Sequence, residues 1–313
     1  MKIAFLCSVY TDAPHLKRLI EALPPTAEFF IHVDAKADIE PFRQLLTGPR
    51  IHFLDHRYNV VWGSFRQVEY QMALIRAALD SGTAFDYLIT MSGMEYPLWS
   101  NERIEAFLTT EREARHEQLK AICMLHQQPE LQQLYVQHWP LINHDYARGS
   151  LKSKWRVALR KAGYALGRRK RLEFDADGHH YILYKGSDWF GITPELGRFV
   201  LDRWDHSPQL RQYFYDSFTP SETTIHTIVF NDSKWRSHCQ LAEGAYTRLA
   251  DLTPLTYIDY TPGTVGTLDE SYFPTLLKSG KMLCRKVITG KSDRLVQLID
   301  EQRQTASADM KNK

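Results

Sequence analysis

Three polar stretches stand where apolar runs end: Ser8-Val9-Tyr10, Ile31-His32-Val33-Asp34 and Ser92-Gly93-Met94-Glu95-Tyr96-Pro97-Leu98. Taken singly, each is a turn with polar residues at a strand end. Converging on one sheet edge, their hydroxyls and carboxylates could hold a ligand. Asp175-Ala176-Asp177 offers a different chemistry, because an Asp-x-Asp pair can hold a divalent ion against a diphosphate. Here the pair follows Arg168–Arg171 and precedes Gly178, a setting that suits a surface turn better. His179-His180 lacks ligand spacing and reads as structural. Gly290-Lys291-Ser292 resembles the end of a phosphate loop, but Arg285 stands where that loop needs a glycine. Neither a dinucleotide GxGxxG nor a GxSxG elbow is present.

These residues need a frame. A chain of 313 residues can bury a sizeable core without disulfide or metal staples. Its 39 Lys and Arg against 37 Asp and Glu leave a net charge of +2, too balanced for a dedicated nucleic-acid binder. The four cysteines, Cys7, Cys123, Cys239 and Cys284, form no CxxC pair, which excludes a zinc ribbon and suits a reducing compartment. No apolar run approaches a membrane span, and the N-terminus opens on a strand-like run rather than a secretory signal. A cytoplasmic location is expected.

Ile3–Val9, Phe29–Val33, Ile51–Leu54, Tyr87–Met91 and Ala121–Leu125 read as buried strands. Helical spacing separates them at His15–Leu23, Pro41–Leu46, Gln67–Leu79 and Ile104–Leu108. This alternation predicts a mostly parallel sheet flanked by helices. Later elements are predicted as strands at Tyr181–Tyr184, Trp189–Ile192, Leu255–Asp259 and Met282–Lys286. Helices are predicted over Pro194–Trp204, from Pro220 through Val229, and near Tyr272–Lys278. One domain over residues 1–290 is expected, followed by a polar C-terminal helix and tail at 291–313.

Residues 148–171 change character, with ten basic residues, Arg148 among them, and no acidic one. Trp155, Leu159, Ala162 and Leu166 recur at helical spacing, so the segment predicts a basic amphipathic helix. Two readings stand: a solvated face whose apolar stripe packs on the core, or a surface that docks onto anionic lipid.

Ile31-His32-Val33-Asp34, Trp62-Gly63-Ser64, Ser92–Leu98, and Gly186-Ser187-Asp188-Trp189 followed by Ser221-Glu222 occur in a telling order. Tyr257-Ile258-Asp259-Tyr260 and Leu283-Cys284-Arg285-Lys286 close the series. From Lys2 to Lys286 the chain resembles the core-2/I-branching glycosyltransferase family, which includes β1,6-N-acetylglucosaminyltransferases and peptide O-xylosyltransferases. The resemblance implies a GT-A-like α/β domain and an inverting transfer from a UDP-sugar, with no metal ion and no other cofactor. By motif match, Asp34 would hydrogen-bond the uracil and Val9 would lie against the nucleotide, with Trp62 and Gly63 beside the donor. Lys286 matches a basic residue that contacts the diphosphate, and Glu222 matches the catalytic glutamate. Thr256 stands where family members commonly carry a second diphosphate-binding arginine; Arg285, Lys281 or Arg248 could replace it. Ser92, Gly93, Glu95, Gly186, Ser187 and Trp189 would form the sugar and acceptor pocket, with Glu95 in place of the family's usual aspartate and Tyr260 in place of a frequent tryptophan.

Local pattern gives Glu222 a rival role. Thr219-Pro220-Ser221-Glu222 fits a capping box in which Glu222 reaches back to the Thr219 amide. Trp62 and Trp189 likewise read either as core aromatics or as pocket walls. GlcNAc is the expected donor sugar and xylose the alternative. The expected acceptor is a hydroxyl of a glycan or lipid-linked glycan, reached by a bacterial enzyme at the inner membrane face. Nucleic acid is not an expected partner. Rival readings are a metal-dependent transferase using Asp175 and Asp177, and an inactive sugar-nucleotide-binding module.

Overall fold

The computed structural model describes residues 1–147, 149–261 and 264–311. The first half runs β1 (Ile3–Val9), α1 (Ala13–Ala22), β2 (Glu28–Val33), α2 (Glu40–Leu45), β3 (Ile51–Phe53), α3 (Arg66–Asp80), β4 (Tyr87–Met91), β5 (Glu95–Pro97), α4 (Asn101–Glu113) and β6 (Lys120–Cys123). It continues through α5 (Pro129–Tyr135), α6 (Leu151–Ala165), β7 (Glu173–Ala176), β8 (His179–Ile182), β9 (Tyr184–Lys185), β10 (Gly191–Ile192), α7 (Pro194–Asp205) and α8 (Pro208–Tyr215). The last part holds α9 (Thr224–Phe230), α10 (Ser233–Arg236), β11 (Gln240–Leu241), β12 (Thr256–Ile258), β13 (Tyr260–Thr261), β14 (Thr264–Val265), α11 (Phe273–Lys278), β15 (Leu283–Arg285) and α12 (Asp293–Lys311).

The central sheet has the order β10-β4-β1-β2-β3, with β1 to β4 parallel and β10 antiparallel to β4. This is the mixed α/β architecture the alternating periods predict. β1, β2 and β4 are buried because helices cover both faces. Val68, Met72 and Ile75 of α3 pack with Leu196 and Val200 of α7 on one side. Leu16, Leu19 and Ile20 of α1 and Ile104 and Leu108 of α4 cover the other. From β1 the chain steps outward to β2 and β3, then returns to place β4 on the opposite side of β1. That reversal leaves a crevice beyond the carboxyl ends of β1 and β4.

A small second sheet, β12-β15-β5, closes the crevice, and its antiparallel register sets Arg285 opposite Glu95. The helix α12 is less polar than its sequence suggests. Leu295, Val296 and Ile299 are buried beside Tyr96 and Val287, and the Tyr96 hydroxyl donates to Asp300 at 2.9 Å.

Several expected elements differ. The strand predicted over Tyr181–Tyr184 divides into β8 and β9, which join different sheets. The helix predicted from Pro220 begins as one 3-10 turn, Pro220–Glu222, and restarts as α9, because Thr223 leaves the helical region at φ −124°. The helices at Pro129–Tyr135 and Pro208–Tyr215 were not predicted; each is short and opens on proline. The basic segment forms α6, with Arg148 outside the described residues. Its apolar stripe does not pack on the core: no residue of α6 is buried. Among the described residues no helix is long and apolar enough to cross a membrane.

Candidate functional site

The crevice contains a cavity of about 510 Å³. The ends of β1, β2 and β4 supply Val9, Asp34 and Ser92, while Trp62, Trp189 and Arg285 come from distant parts of the chain. Asp34 is held at its strand end by the bond from its own amide to the Val9 carbonyl, 2.9 Å. Its Oδ1 accepts from the amides of Lys36 and Val60, at 3.0 and 3.4 Å. His32, one residue before Val33, is fully buried, and burial lowers its pKa to about 4. The neutral ring accepts from the Tyr58 amide at Nε2 and meets Ser8 Oγ with Nδ1 at 3.2 Å, fixing the hydroxyl on the cavity wall.

Glu95 does not line the cavity. Its buried carboxylate gathers the groups that do. Oε2 accepts from the amides of Ser92 and Met94, and Oε1 accepts from Ser92 Oγ at 2.7 Å and Trp189 Nε1 at 2.8 Å. Arg285 Nε lies 3.3 Å from Oε1 and donates to Ser92 Oγ at 3.0 Å. The guanidinium also sits 4.3 Å over the Trp189 ring. A buried carboxylate satisfied this fully is a positioning device, and it orients three cavity residues at once.

Gly93 and Gly186 also act from behind the wall. At Gly93, with φ +77°, an added Cβ would lie 2.5 Å from Val9 Cγ1. Gly93→Ala is therefore expected to cost about 1–3 kcal/mol in stability and to push Val9 into the cavity. Urea unfolding read alongside nucleotide binding checks both effects, and an unchanged midpoint removes the argument. At Gly186 an added Cβ would meet the buried His226 ring at 2.0 Å, and the Gly186 amide donates to the Glu222 carbonyl at 2.8 Å. Ser187 Oγ accepts from the Trp189 amide at 3.0 Å and shapes the turn rather than facing a ligand. Gly63, at φ +74°, donates its amide to Gln67 Oε1 at 2.6 Å and leaves Trp62 73% exposed at the rim.

Glu222 stands beside the cavity rather than in its lining. The capping box does not form, since the Thr219 side chain makes no cap bond and Glu222 Oε2 pairs with Lys185 Nζ. Burial opposes the charge on Lys185, but the Glu222 carboxylate outweighs it and raises its pKa. Asp188, on the cavity wall, is the carboxylate that motif matching passed over. Its Oδ1 accepts from Gln71 Nε2 at 3.1 Å. Burial first, and then the charge of Glu222, raise its pKa to about 6. A buried carboxylate sitting next to a hydroxyl and an aromatic residue, as in Ser187-Asp188-Trp189, was the available signal.

Of the cations proposed to replace an arginine at Thr256, Arg285 alone lines the cavity. Lys281 Nζ is bound to the Thr253 carbonyl at 2.6 Å, and Arg248 pairs with Asp251 at 3.1 Å. Thr256 itself is buried in β12. Lys286 follows Arg285 out of β15 and is not in the lining; burial and the charges of Arg285 and Lys291 lower its pKa. Asp175 and Asp177 lie elsewhere. Asp175 pairs with His180 at 2.9 Å in the β7-β8 hairpin, and Asp177 accepts from the amides of Gln209 and Leu210 at the start of α8. A second cleft of about 710 Å³ borders α3 and α8, but Arg76 and Arg211 in its wall are already engaged, Arg76 with the Asp205 carboxylate and Arg211 with its carbonyl.

Residues 3–121 match the family model described as Core-2/I-Branching enzyme. The matched stretch holds β1, β2, β4 and the Ser92–Glu95 turn, and so the strand-end part of the cavity. Similar curated proteins include Xylosyltransferase 2 of Homo sapiens, 27% identical over 238 residues, covering 74% of this chain and 25% of that protein. Xylosyltransferase 1 of Canis lupus familiaris is 23% identical over 258 residues, covering 76% and 23%. The chain spans about a quarter of the length of the curated relatives it matches. Among solved structures, Staphylococcus aureus TarS 1-349 in complex with UDP-GlcNAc matches 40% of this chain and 34% of its own at 13% identity, with a TM-score of 0.27. A CMP:2-keto-3-deoxy-manno-octonic acid synthetase complexed with CTP matches 78% and 90% at 10% identity, with a TM-score of 0.33.

Proposed function

We propose that this chain transfers a sugar from a UDP-sugar to an acceptor hydroxyl of a glycan, with inversion and without a metal ion. The observation that carries the reading is the cavity in which Asp34, Trp62, Trp189 and Arg285 converge beside the carboxylates of Asp188 and Glu222. Asp34 and Val9 receive the nucleoside, and the exposed ring of Trp62 offers flat apolar surface to a sugar. Arg285 meets the diphosphate. Its Nε serves Ser92 and Glu95, and its Nη groups have no hydrogen-bond acceptor among the described residues. In a single displacement the acceptor oxygen attacks the anomeric carbon as the bond to UDP breaks. Glu222, steadied by Lys185, takes the acceptor proton, and Arg285 offsets charge gathering on the leaving phosphate.

GlcNAc is the donor the sequence motifs favour; the names of the curated relatives favour xylose as a second reading. The acceptor is a glycan or lipid-linked glycan met by a cytoplasmic enzyme, peripheral at the inner membrane face. A thermal-shift series with UDP, UDP-GlcNAc and UDP-xylose, followed by UDP-release assays in EDTA and in manganese, tests the reading. UDP should raise the melting temperature, and one UDP-sugar should be turned over equally in EDTA. Activity lost in EDTA and restored by manganese would assign a metal, and UDP binding without turnover of either sugar nucleotide would mark an inactive module.

A further inference from the structure

We propose that α6 is an interfacial helix whose Leu151, Trp155, Leu159 and Leu166 face inserts into an anionic lipid bilayer, setting the rim of the cavity against that surface. The choice of a lipid-borne acceptor rests on the function proposed above; the insertion itself rests on α6 alone.

A surface helix of a protein folded in water turns its apolar stripe inward. α6 does the reverse. Its inward face carries Arg156 and Arg160, whose guanidiniums lie 4.0 Å over the rings of Tyr146 and Trp139 respectively. Those stacks dock the helix and leave the stripe outward, with Trp155 65% and Leu166 81% exposed. Lys152 borders the stripe on one side and Lys154 and Lys161 on the other, all exposed. Arg168, Arg169 and Arg171 follow, and residues 146–172 contain no Asp or Glu. An apolar face edged by lysines, whose long stems can lift their ammonium groups to headgroup level, complements an anionic bilayer. A second copy of this chain would bring the same cations against themselves.

The helix is also wired to the cavity. From Arg160 the contact runs through Trp139 to Phe218, stacked at 4.6 Å, and on to the ring of Trp62 at 6.2 Å. Asp145, six residues before α6, lies 3.5 Å from Lys36, which lines the cavity. A bilayer under α6 therefore lies near the entrance through which an acceptor arrives.

Co-sedimentation of the full chain with phosphatidylcholine vesicles, with and without phosphatidylglycerol, tests the proposal. The protein should partition at least about tenfold more to the anionic vesicles, with a blue shift in tryptophan emission. Trp155→Glu with Leu159→Glu should abolish the blue shift and reduce partitioning about tenfold, with the melting temperature unchanged. Lys152→Glu, Lys154→Glu and Lys161→Glu together should do the same. A wild-type chain left in the supernatant overturns the proposal. So does a Glu pair that binds like wild type, which would mean adsorption by charge alone. Dimerisation that the Glu pair abolishes, without vesicle binding, would assign the face to a second copy. Vesicle binding needs no donor sugar, so a failure to bind UDP would overturn the catalytic reading and leave this one standing.

Discussion

Glu222→Gln is expected to lower turnover by roughly 10²–10⁴-fold, the range lost when a general base is removed, with UDP binding retained. Glutamine copies the shape and one acceptor oxygen of glutamate but cannot take a proton from an attacking hydroxyl. The variant carries a second consequence. Lys185 is buried and has Glu222 as its carboxylate partner, so neutralising Glu222 strands a cation in the interior. Breaking a buried pair on one side costs about 3–5 kcal/mol. The melting temperature should therefore fall with the activity. Lys185→Met combined with Glu222→Gln separates the two effects, since it removes the stranded charge and should recover much of the stability while turnover stays lost. Turnover restored in the double variant would mean that Glu222 serves Lys185 alone. Near-native turnover in Glu222→Gln would refute the assignment outright.

Asp188→Asn should stabilise the fold at neutral pH. Burial and the neighbouring Glu222 charge raise the Asp188 pKa from 3.8 to about 6. Between those values the folded chain holds a proton that the unfolded chain has released. Stability contributed by the neutral acid is thus fully present below about pH 4 and declines as pH rises toward 6. The loss amounts to about 3 kcal/mol at one pKa unit per 1.4 kcal/mol. Asparagine carries no such charge, so the variant should exceed wild type by up to about 3 kcal/mol at pH 7 and match it near pH 4. Gln71 Oε1, buried without a hydrogen-bond partner, gives the new amide an acceptor. Urea titrations at both pH values check the effect. A variant less stable than wild type at pH 7 would show that the buried charge is better satisfied than its surroundings suggest.

The frame was legible because it rests on periodicity. Continuous apolar runs separated by helical spacing mark β1, β2 and β4, and polar residues at their ends mark where a ligand can sit. Side-chain direction within a turn is a different matter. Glu95, Gly93 and Ser187 belong to motifs that read as pocket wall, yet each works from behind it. Whether a carboxylate points into the cavity or toward Trp189 and Arg285 depends on partners ninety or more residues away. The same holds for α6. Its spacing defines an apolar stripe, but only the rings of Tyr146 and Trp139, which claim Arg156 and Arg160, decide which way the stripe faces. Lys185 gave no local hint of its pairing with Glu222, thirty-seven positions on.

The antiparallel register of β5 and β15 has a consequence for biosynthesis. Glu95 leaves the ribosome long before Arg285, and the parallel strands around β1 can assemble while the carboxylate still lacks that cation. A nascent chain ending short of Leu283 would carry a nearly complete sheet with an ion it cannot bury. Competence to hold a ligand would then wait until β15 is made and docks against β5, closing the last wall of the crevice.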